Sequence, residues 1–312
     1  MEASVNEVAS ERRFLWGYCY RLTGSAADAD DLVQETMLRA MERPPSRPGD
    51  MRPWLVRVAT NLGRDLLRAR RRRGYVGPWL PSPIEDADID IPVEARGAEG
   101  RYDLIESVSF AFLVALEALK PRERAVLLLA DVFDYSMREI AEALDLGESN
   151  VKVLHHRAKK KLASYDSERA PKDLARSERT RVAFERFLAS ITADDRDSLQ
   201  ALLAPEVRAL NDGGGEFFAA RKPILGPSRV ARFYLGLKNK FTQPSARFSF
   251  HMLNGAPALA VAQDPLDARF APITVTSLST DGSGRIDRVY SFLATSKLTR
   301  VKSMLFGHRA RG

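Results

Sequence analysis

The hydrophobic pattern of this 312-residue chain changes period once, near Pro171, and a single repeated architecture cannot satisfy both periods. Up to Tyr165, apolar residues recur three or four positions apart. Phe14, Trp16, Tyr18, Leu22, Leu32, Val33, Met37, Leu38 and Met41 form one set, and Trp54, Leu55, Val58, Leu62 and Leu66 another. That spacing paints one face of a helix. After Pro171, helices over 177–192 and 198–203 give way to runs that alternate apolar and polar residues, as half-buried strands do. These runs cover 207–210, 246–253, 258–262, 273–278 and 286–292, with a helix over 227–240 between them. The expected fold class is multidomain, with two all-α helical domains followed by an α+β domain built on a curved antiparallel sheet. The chain is long enough for two or three domains, and 45% hydrophobic content supports packed cores.

Punctuation sets the boundaries. Gly24-Ser25 breaks the first helix, and Ser25 or Asp28 can cap the next. Residues 42–49 form a turn-rich loop, and Pro53 sits in the first turn of the following helix. Gly74, Gly77, Pro78, Pro81, Pro83 and Pro92 then stop the helical pattern. The expected domains are 1–74, a linker over 75–101, a helical domain over 102–167, a short linker over 168–176, an α+β domain over 177–305 and a basic tail over 306–312. Within the first linker, residues 85–99 carry Glu85, Asp86, Asp88, Asp90, Glu94 and Glu99 against Arg96 alone. Its apolar pair Trp79-Leu80 has no use in a free spacer, so a docked linker is expected.

The net charge of +7 favours a polyanionic partner, and the charge is local, with five arginines in the six positions 68–73. One cysteine, Cys19, excludes an internal disulfide framework, and its apolar neighbours point to packing. Four histidines without ligand spacing give no metal signal, and no cofactor or catalytic residue is expected. No apolar run approaches the roughly 18 residues of a membrane span. The N-terminus lacks the pattern of a signal peptide. A cytoplasmic protein is expected.

Residues 135–162 read as a helix-turn-helix. Met137, Ile140, Ala141 and Leu144 stripe one short helix, Asp145-Leu-Gly147 makes the turn, and Ser149 is a plausible N-cap for the second helix. Val151, Val153, Leu154, Ala158 and Leu162 are its apolar residues, which leaves Glu148, Asn150, Lys152, His155, Lys159 and Lys160 exposed. The first turns of such a helix face base edges in the major groove, and later basic residues reach phosphates. The candidate DNA-binding residues are therefore Asn150, Lys152, His155, Arg157, Lys159 and Lys160. Arg64 and the cluster from Arg68 to Arg73 add a second basic surface, for which generic phosphate binding is the rival reading.

Residues 10–165 resemble the extracytoplasmic-function sigma factors of bacterial RNA polymerase. The segment Asp28-Ala-Asp-Asp-Leu-Val-Gln-Glu-Thr36 is similar to the sigma region 2 helix that docks on the β′ clamp helices of core polymerase. The resemblance implies that Asp31, Leu32, Gln34 and Glu35 carry that contact. The loop over 42–50 falls where the family captures a flipped base of the −10 element. The helix over 53–73, with Arg57, Asn61, Arg64, Arg68 and Arg71, falls where it reads and melts promoter DNA, and aromatic and polar side chains there can hold unstacked bases. The helix-turn-helix resembles sigma region 4, which reads the −35 element. In these proteins the acidic linker threads a positively charged channel of the polymerase.

Residues 177–305 resemble a SnoaL-like cone-barrel domain, carried by a subset of these sigma factors. That subset has a Trp-Leu-Pro linker motif and an Asp-Gly-Gly-Gly loop, matched here by Trp79-Leu80-Pro81 and Asp212-Gly213-Gly214-Gly215. Ser82 stands where a glutamate is usual. Only Lys297 and Leu298 match the usual C-terminal Asn-Pro-Asp-Lys-Leu motif. The implied role is regulation: the barrel docks on the sigma domains and linker. The Gly-rich loop also reads as a hairpin turn between 207–210 and 216–220. Within the barrel, Asp212, His251 and Asp264 are the ionisable residues that enzyme chemistry would use, though no spacing singles one out. An enzyme fused to a DNA-binding half, a sensor with an unknown small ligand in the barrel pocket, and a repressor remain alternatives. The basic tail, with Arg300, Lys302, His308, Arg309 and Arg311, is a further candidate contact with DNA or the sigma core.

Overall fold

The computed structural model describes residues 9–43, 45, 51–86, 104, 106–168, 174–241 and 245–301. The loop over 42–50, most of the acidic stretch beyond Asp86 and the basic tail lie largely outside these. The chain separates into two compact units, residues 1–74 with 87–169, and residues 75–86 with 170–312.

The first unit is helical. Helices α1 (Arg12–Thr23), α2 (Ala26–Glu42) and α3 (Met51–Arg73) pack together through Leu15, Tyr18 and Leu22, through Leu32, Val33 and Met37, and through Leu55, Ala59 and Leu67. Gly24 in the left-handed region (φ 66°) ends α1. Ser25 caps α2, its hydroxyl accepting the Asp28 N–H at 3.2 Å, so of the two expected caps the serine is used. The later helices are α4 (Phe110–Ala115), α5 (Pro121–Asp131), α6 (Met137–Leu144), α7 (Glu148–Lys161) and α8 (Ala163–Glu168). Ala125, Val126, Leu127, Leu128 and Leu129 of α5 are all fully buried, so this helix is the axis of the unit.

Two buried arginines tie α1 to the later helices. Arg124 donates to Leu22 O (2.9 Å), Leu116 O (2.7 Å) and the Glu117 carboxylate (2.7 Å). Arg21 donates to Ser107 Oγ (2.7 Å), Leu104 O (3.0 Å) and Gly17 O (2.9 Å). Burial brings the Arg21 pKa down to about 10. Buried charge of this kind persists only when it is hydrogen-bonded. Here the acceptors include Leu22 O, one of the last carbonyls of α1, which has no partner within its own helix.

The second unit joins α9 (Leu174–Thr192), α10 (Arg196–Ala201) and α11 (Pro227–Phe241) to a six-stranded sheet in the order β2-β1-β6-β5-β4-β3. The strands are β1 (Leu203–Asp212), β2 (Ile224–Leu225), β3 (Arg247–Leu253), β4 (Ala256–Ala262), β5 (Ile273–Thr280) and β6 (Ile286–Phe292). Phe184, Phe187, Val230 and Tyr234 from the helices meet Val207, Ala209, Leu259, Leu278 and Val289 from the sheet. Two expectations are corrected. The sheet is mixed, because β1 pairs parallel with β6. The Gly-rich loop is not a hairpin turn to 216–220. The N–H groups of Glu216 and Phe217 both donate to Gly213 O, which curls the chain locally, and β1 pairs instead with Ile224–Leu225.

Candidate nucleic-acid interface and linker seat

Helix α2 presents two faces. Ala29, Leu32, Val33, Thr36, Met37 and Ala40 are buried. Asp31 and Gln34 are exposed and Glu35 is half-buried, its carboxylate paired with Arg39 at 2.8 Å. Leu32, expected as a contact residue, is 5% exposed and belongs to the core beneath that face. The same exposed stripe continues one and two turns on with Leu38 and Met41, which the apolar spacing grouped with Leu32, Val33 and Met37.

Helix α3 splits the arginine cluster. Five arginines in six positions spread around a helix rather than lining one side. Arg70 donates to Thr23 O (2.9 Å) and to Glu117 (3.0 and 3.2 Å), and Arg71 donates to Leu119 O (2.6 Å), so both are engaged within the unit. Arg68, Arg71, Arg72, Arg73 and Asn61 are exposed, and Arg57 and Arg64 are half-buried. Arg64 pairs with Asp65 at 3.0 Å, and this hydrogen bond holds the Asp65 carboxyl below its usual range.

The helix-turn-helix is built from local signals. Ser136 caps α6, its hydroxyl accepting the Glu139 N–H (3.2 Å) while the Glu139 carboxylate accepts the Ser136 N–H (2.8 Å). Asp145 ends α6 in the left-handed region (φ 53°). Helix α7 then begins at Glu148 with Gly147 at the N-cap, not with Ser149 as expected. The left-handed residue reverses the chain so sharply that the helix starts two residues sooner. Val151, Ala158 and Leu162 face inward. Asn150, Lys152, His156, Arg157 and Lys160 are exposed and Lys159 is half-buried. His155, expected at the DNA face, is largely buried, with Nε2 2.7 Å from Asp131 Oδ1. Lys152, His155, His156, Lys159 and Lys160 line an open cleft of about 630 Å³.

In the second unit, residues 75–86 lie on the barrel. Asp212, fully buried at the end of β1, is the hub. Its Oδ1 accepts the Tyr75 hydroxyl (2.6 Å) and the Gly214 N–H (3.1 Å), and its Oδ2 accepts the Leu80 N–H (2.8 Å). Burial pushes the Asp212 carboxyl above its usual range, against the nearby Lys297 and these donors. Lys297 is itself buried, with Nζ 3.6 Å from the centroid of the Trp79 ring. Gly214 (φ 58°) and Gly215 (φ 81°) occupy conformations that side chains resist. A Cβ at Gly214 would also meet the Tyr75 hydroxyl at 3.2 Å, and one at Gly215 would meet Val76 at 3.2 Å. Leu80, Pro81, Ser82, Pro83 and Ile84 are all buried. Asn254 fixes the far end: its Oδ1 accepts the Ile84 N–H (2.9 Å) and its N–H donates to Ile84 O (3.0 Å). Sequence reasoning missed Asn254; the signal was the dipeptide Asn254-Gly255, a tight-turn marker between two strand-like runs.

Asp212, His251 and Asp264 do not form one site. His251 lies on β3, at the opposite edge of the sheet from β1, between Glu85 (3.5 Å) and Ser249 (2.8 Å), and Asp264 is an exposed residue between β4 and β5. Among the described residues, no helix is long and apolar enough to cross a membrane, and no group of His, Cys, Asp and Glu is arranged to hold a metal ion.

Comparison with known proteins places these features. The sigma-70 region 2 family model matches residues 8–73, and the sigma-70 region 4 model matches residues 109–162. The ECF RNA polymerase sigma factor SigJ of Mycobacterium tuberculosis is 35% identical over 241 residues, covering 76% of this chain and 74% of that protein. The probable ECF RNA polymerase sigma factor SigI of the same species is 25% identical over 303 residues, covering 96% of each chain. The crystal structure of Mycobacterium tuberculosis SigJ matches with a TM-score of 0.71 and 28% identity, over 95% of this chain and 99% of that one. The chain belongs to the ECF RNA polymerase sigma factors, which direct promoter-specific transcription initiation.

Proposed function

We propose that the α+β domain regulates initiation by seating residues 75–86. The observation that carries this reading is the use of both carboxylate oxygens of buried Asp212 to hold Tyr75 and Leu80, beside Lys297 on Trp79. A segment bound through a backbone N–H and a buried carboxylate is held in one register, so the reach of the chain that follows it is set by the barrel. In this reading the barrel is a docking module and not an enzyme, and it acts in the cytoplasm with the polymerase. Asp31, Gln34 and Glu35 of α2 meet the β′ clamp helices, where an acidic and polar stripe suits a basic partner. Arg57, Asn61, Arg64 and Arg68 of α3 face melted promoter DNA. Asn150, Lys152, Arg157, Lys159 and Lys160 of α7 face the duplex. Arg71, exposed while donating to Leu119 O, joins the α3 surface, and His155, paired with Asp131, supports that of α7.

Reconstituted transcription with core polymerase tests the assignment. The full chain is compared with a chain ending at residue 169 and with full-length Asp212→Ala. Both variants should change promoter output, in the same direction. Unchanged output and promoter affinity in both would reject a regulatory barrel.

A ligand-sensing barrel has one observation in its favour. Asn211, 3% exposed, lies on the same face of β1 as Val207 and Ala209, and its Nδ2 is buried without a hydrogen-bond partner. A thermal-shift screen of the full chain against small polar metabolites separates sensing from docking alone.

A further inference from the structure

Beside α7, the open cleft contains one half of an acid–base pair. His155 lines the cleft and sets its Nε2 2.7 Å from Oδ1 of Asp131, the last residue of α5, and both side chains are largely buried. An ionised carboxylate only accepts hydrogen bonds, so Nε2 carries the hydrogen of this contact and a second proton on the ring goes to Nδ1. The other oxygen, Asp131 Oδ2, is buried without a hydrogen-bond partner among the described residues. With a neutral imidazole the pair therefore holds one negative charge beneath α7, and with an imidazolium it holds none. Imidazole is the side chain whose charge ordinarily changes between about pH 5 and 8.

The charges around the cleft bias that choice. Helix α7 contributes Lys152, His156, Lys159 and Lys160, α8 contributes Asp166, and α6 contributes Met137, which has no charge. Lys152 is paired with Glu148 at 2.6 Å, and near the start of α5 Glu123 is taken by Lys161 at 2.6 Å. Cations outnumber the acid at the cleft, so in the free protein they oppose a further positive charge on His155. Phosphates laid on Lys159 and Lys160 reverse that field. Lys159 stands one helical turn, about 5.4 Å, from His155, so a phosphate it holds lies within roughly one Debye length, ~10 Å at 0.1 M salt.

Given α7 as the duplex-facing helix, on which this depends, we propose that DNA binding there takes up a proton on the His155–Asp131 pair. Coupling between two ligands is reciprocal, so the proton favours DNA by the factor by which DNA favours the proton. The sign follows. The complex holds more protons than the free protein, so affinity is highest where the pair is protonated and falls as pH rises through the histidine range. One charge at that distance from phosphates, partly screened by salt, changes affinity roughly three- to tenfold. His156, exposed on the same helix, has no buried carboxylate to hold its proton and is the internal comparison.

Titration calorimetry of the full chain on a short DNA duplex of mixed sequence, at low salt, tests this. Runs in Mops and in Tris, whose ionisation enthalpies differ, count the protons taken up. The wild type should take up a fraction of one proton near neutrality, and its affinity should fall roughly three- to tenfold from about pH 6 to about pH 8. His155→Gln should lose both effects and His156→Gln should keep them. Asp131→Asn separates charge from packing. Its amide oxygen still accepts from Nε2, but the negative charge is gone, so near pH 8 it should bind more tightly than the wild type by that same factor and show little pH dependence. A merely structural pair predicts weaker binding instead. Lys160→Ala marks whether the duplex sits on α7. If it weakens binding and the wild type takes up no proton, the coupling is overturned and the reading of α7 stands; if it leaves affinity unchanged, that reading falls and the coupling with it. Uptake that survives His155→Gln, or an Asp131→Asn chain that keeps its helical signal and binds more weakly near pH 8, also overturns the proposal.

Discussion

Replacing Asp212 by alanine removes three hydrogen bonds at once, and their surroundings decide the cost. Tyr75 and Gly214 are half-buried and can turn to water, whereas Leu80 is fully buried and its N–H cannot. An orphaned buried donor costs about 1–3 kcal/mol, and hydrogen bonds to a charged acceptor contribute about 1.5–3 kcal/mol each. Against this stands relief from burying a carboxylate, a cost visible in its raised pKa. The balance is a loss of roughly 2–4 kcal/mol in the hold on residues 75–86. At about 1.36 kcal/mol per tenfold, the Leu80 amide should exchange with solvent roughly 30- to 1,000-fold faster. Asp212→Asn should do less. With its oxygen toward Leu80, the amide loses only the Gly214 bond, which keeps the change near the low end. The assay is site-resolved hydrogen exchange on the full chain, with the β5 and β6 amides as the internal control. Unchanged Leu80 exchange in Asp212→Ala, with the sheet intact, would refute Asp212 as the hub.

Arg124→Leu should destabilise the first unit by about 3–5 kcal/mol, because Leu22 O and Leu116 O lose this donor and the Glu117 carboxylate loses its buried guanidinium partner. Calorimetry should show that unit melting ~10 °C lower. Glu123 supplies a pH dependence. Burial raises its pKa, but the Lys161 ammonium (2.6 Å) and the Lys120 N–H (2.8 Å) outweigh burial and leave it lowered. A lowered folded-state pKa gives stability that is present above the unfolded value and lost as pH falls through the folded one. The melting difference between wild type and Glu123→Gln should therefore be largest near neutrality and shrink in acid; a constant difference counts against the pair. Lys160→Ala should weaken promoter binding without altering sequence preference and lower the salt slope by about one unit in a salt-titrated binding assay.

The helices, the turn of the helix-turn-helix and most strands were legible because their signals are local. Ser25 and Ser136 cap the helices they precede. Asp145 ends α6 within the expected turn. Alternation located β6 at Ile286–Phe292. The parallel pairing of β1 with β6 was not legible, since it joins strands more than seventy residues apart and leaves no local trace. The short strand Ile224–Leu225 is below the length at which alternation can be read.

What the sequence determined by itself is the set of parts: helical faces, caps, the two motifs that share a Trp-Leu-Pro and an Asp-Gly-Gly-Gly pattern, and the family they point to. Tertiary structure decided which of those residues remain available. Leu32 and His155 carry plausible motif positions but turn inward, and Arg70 bonds within the first unit while Arg68 and Arg71, the latter also donating to Leu119 O, remain at its surface. The seat of residues 75–86 is likewise a tertiary fact. Asp212 and Leu80 are 132 positions apart, and a carboxylate can hold a backbone N–H only when folding brings the two to 2.8 Å in a place that water does not reach.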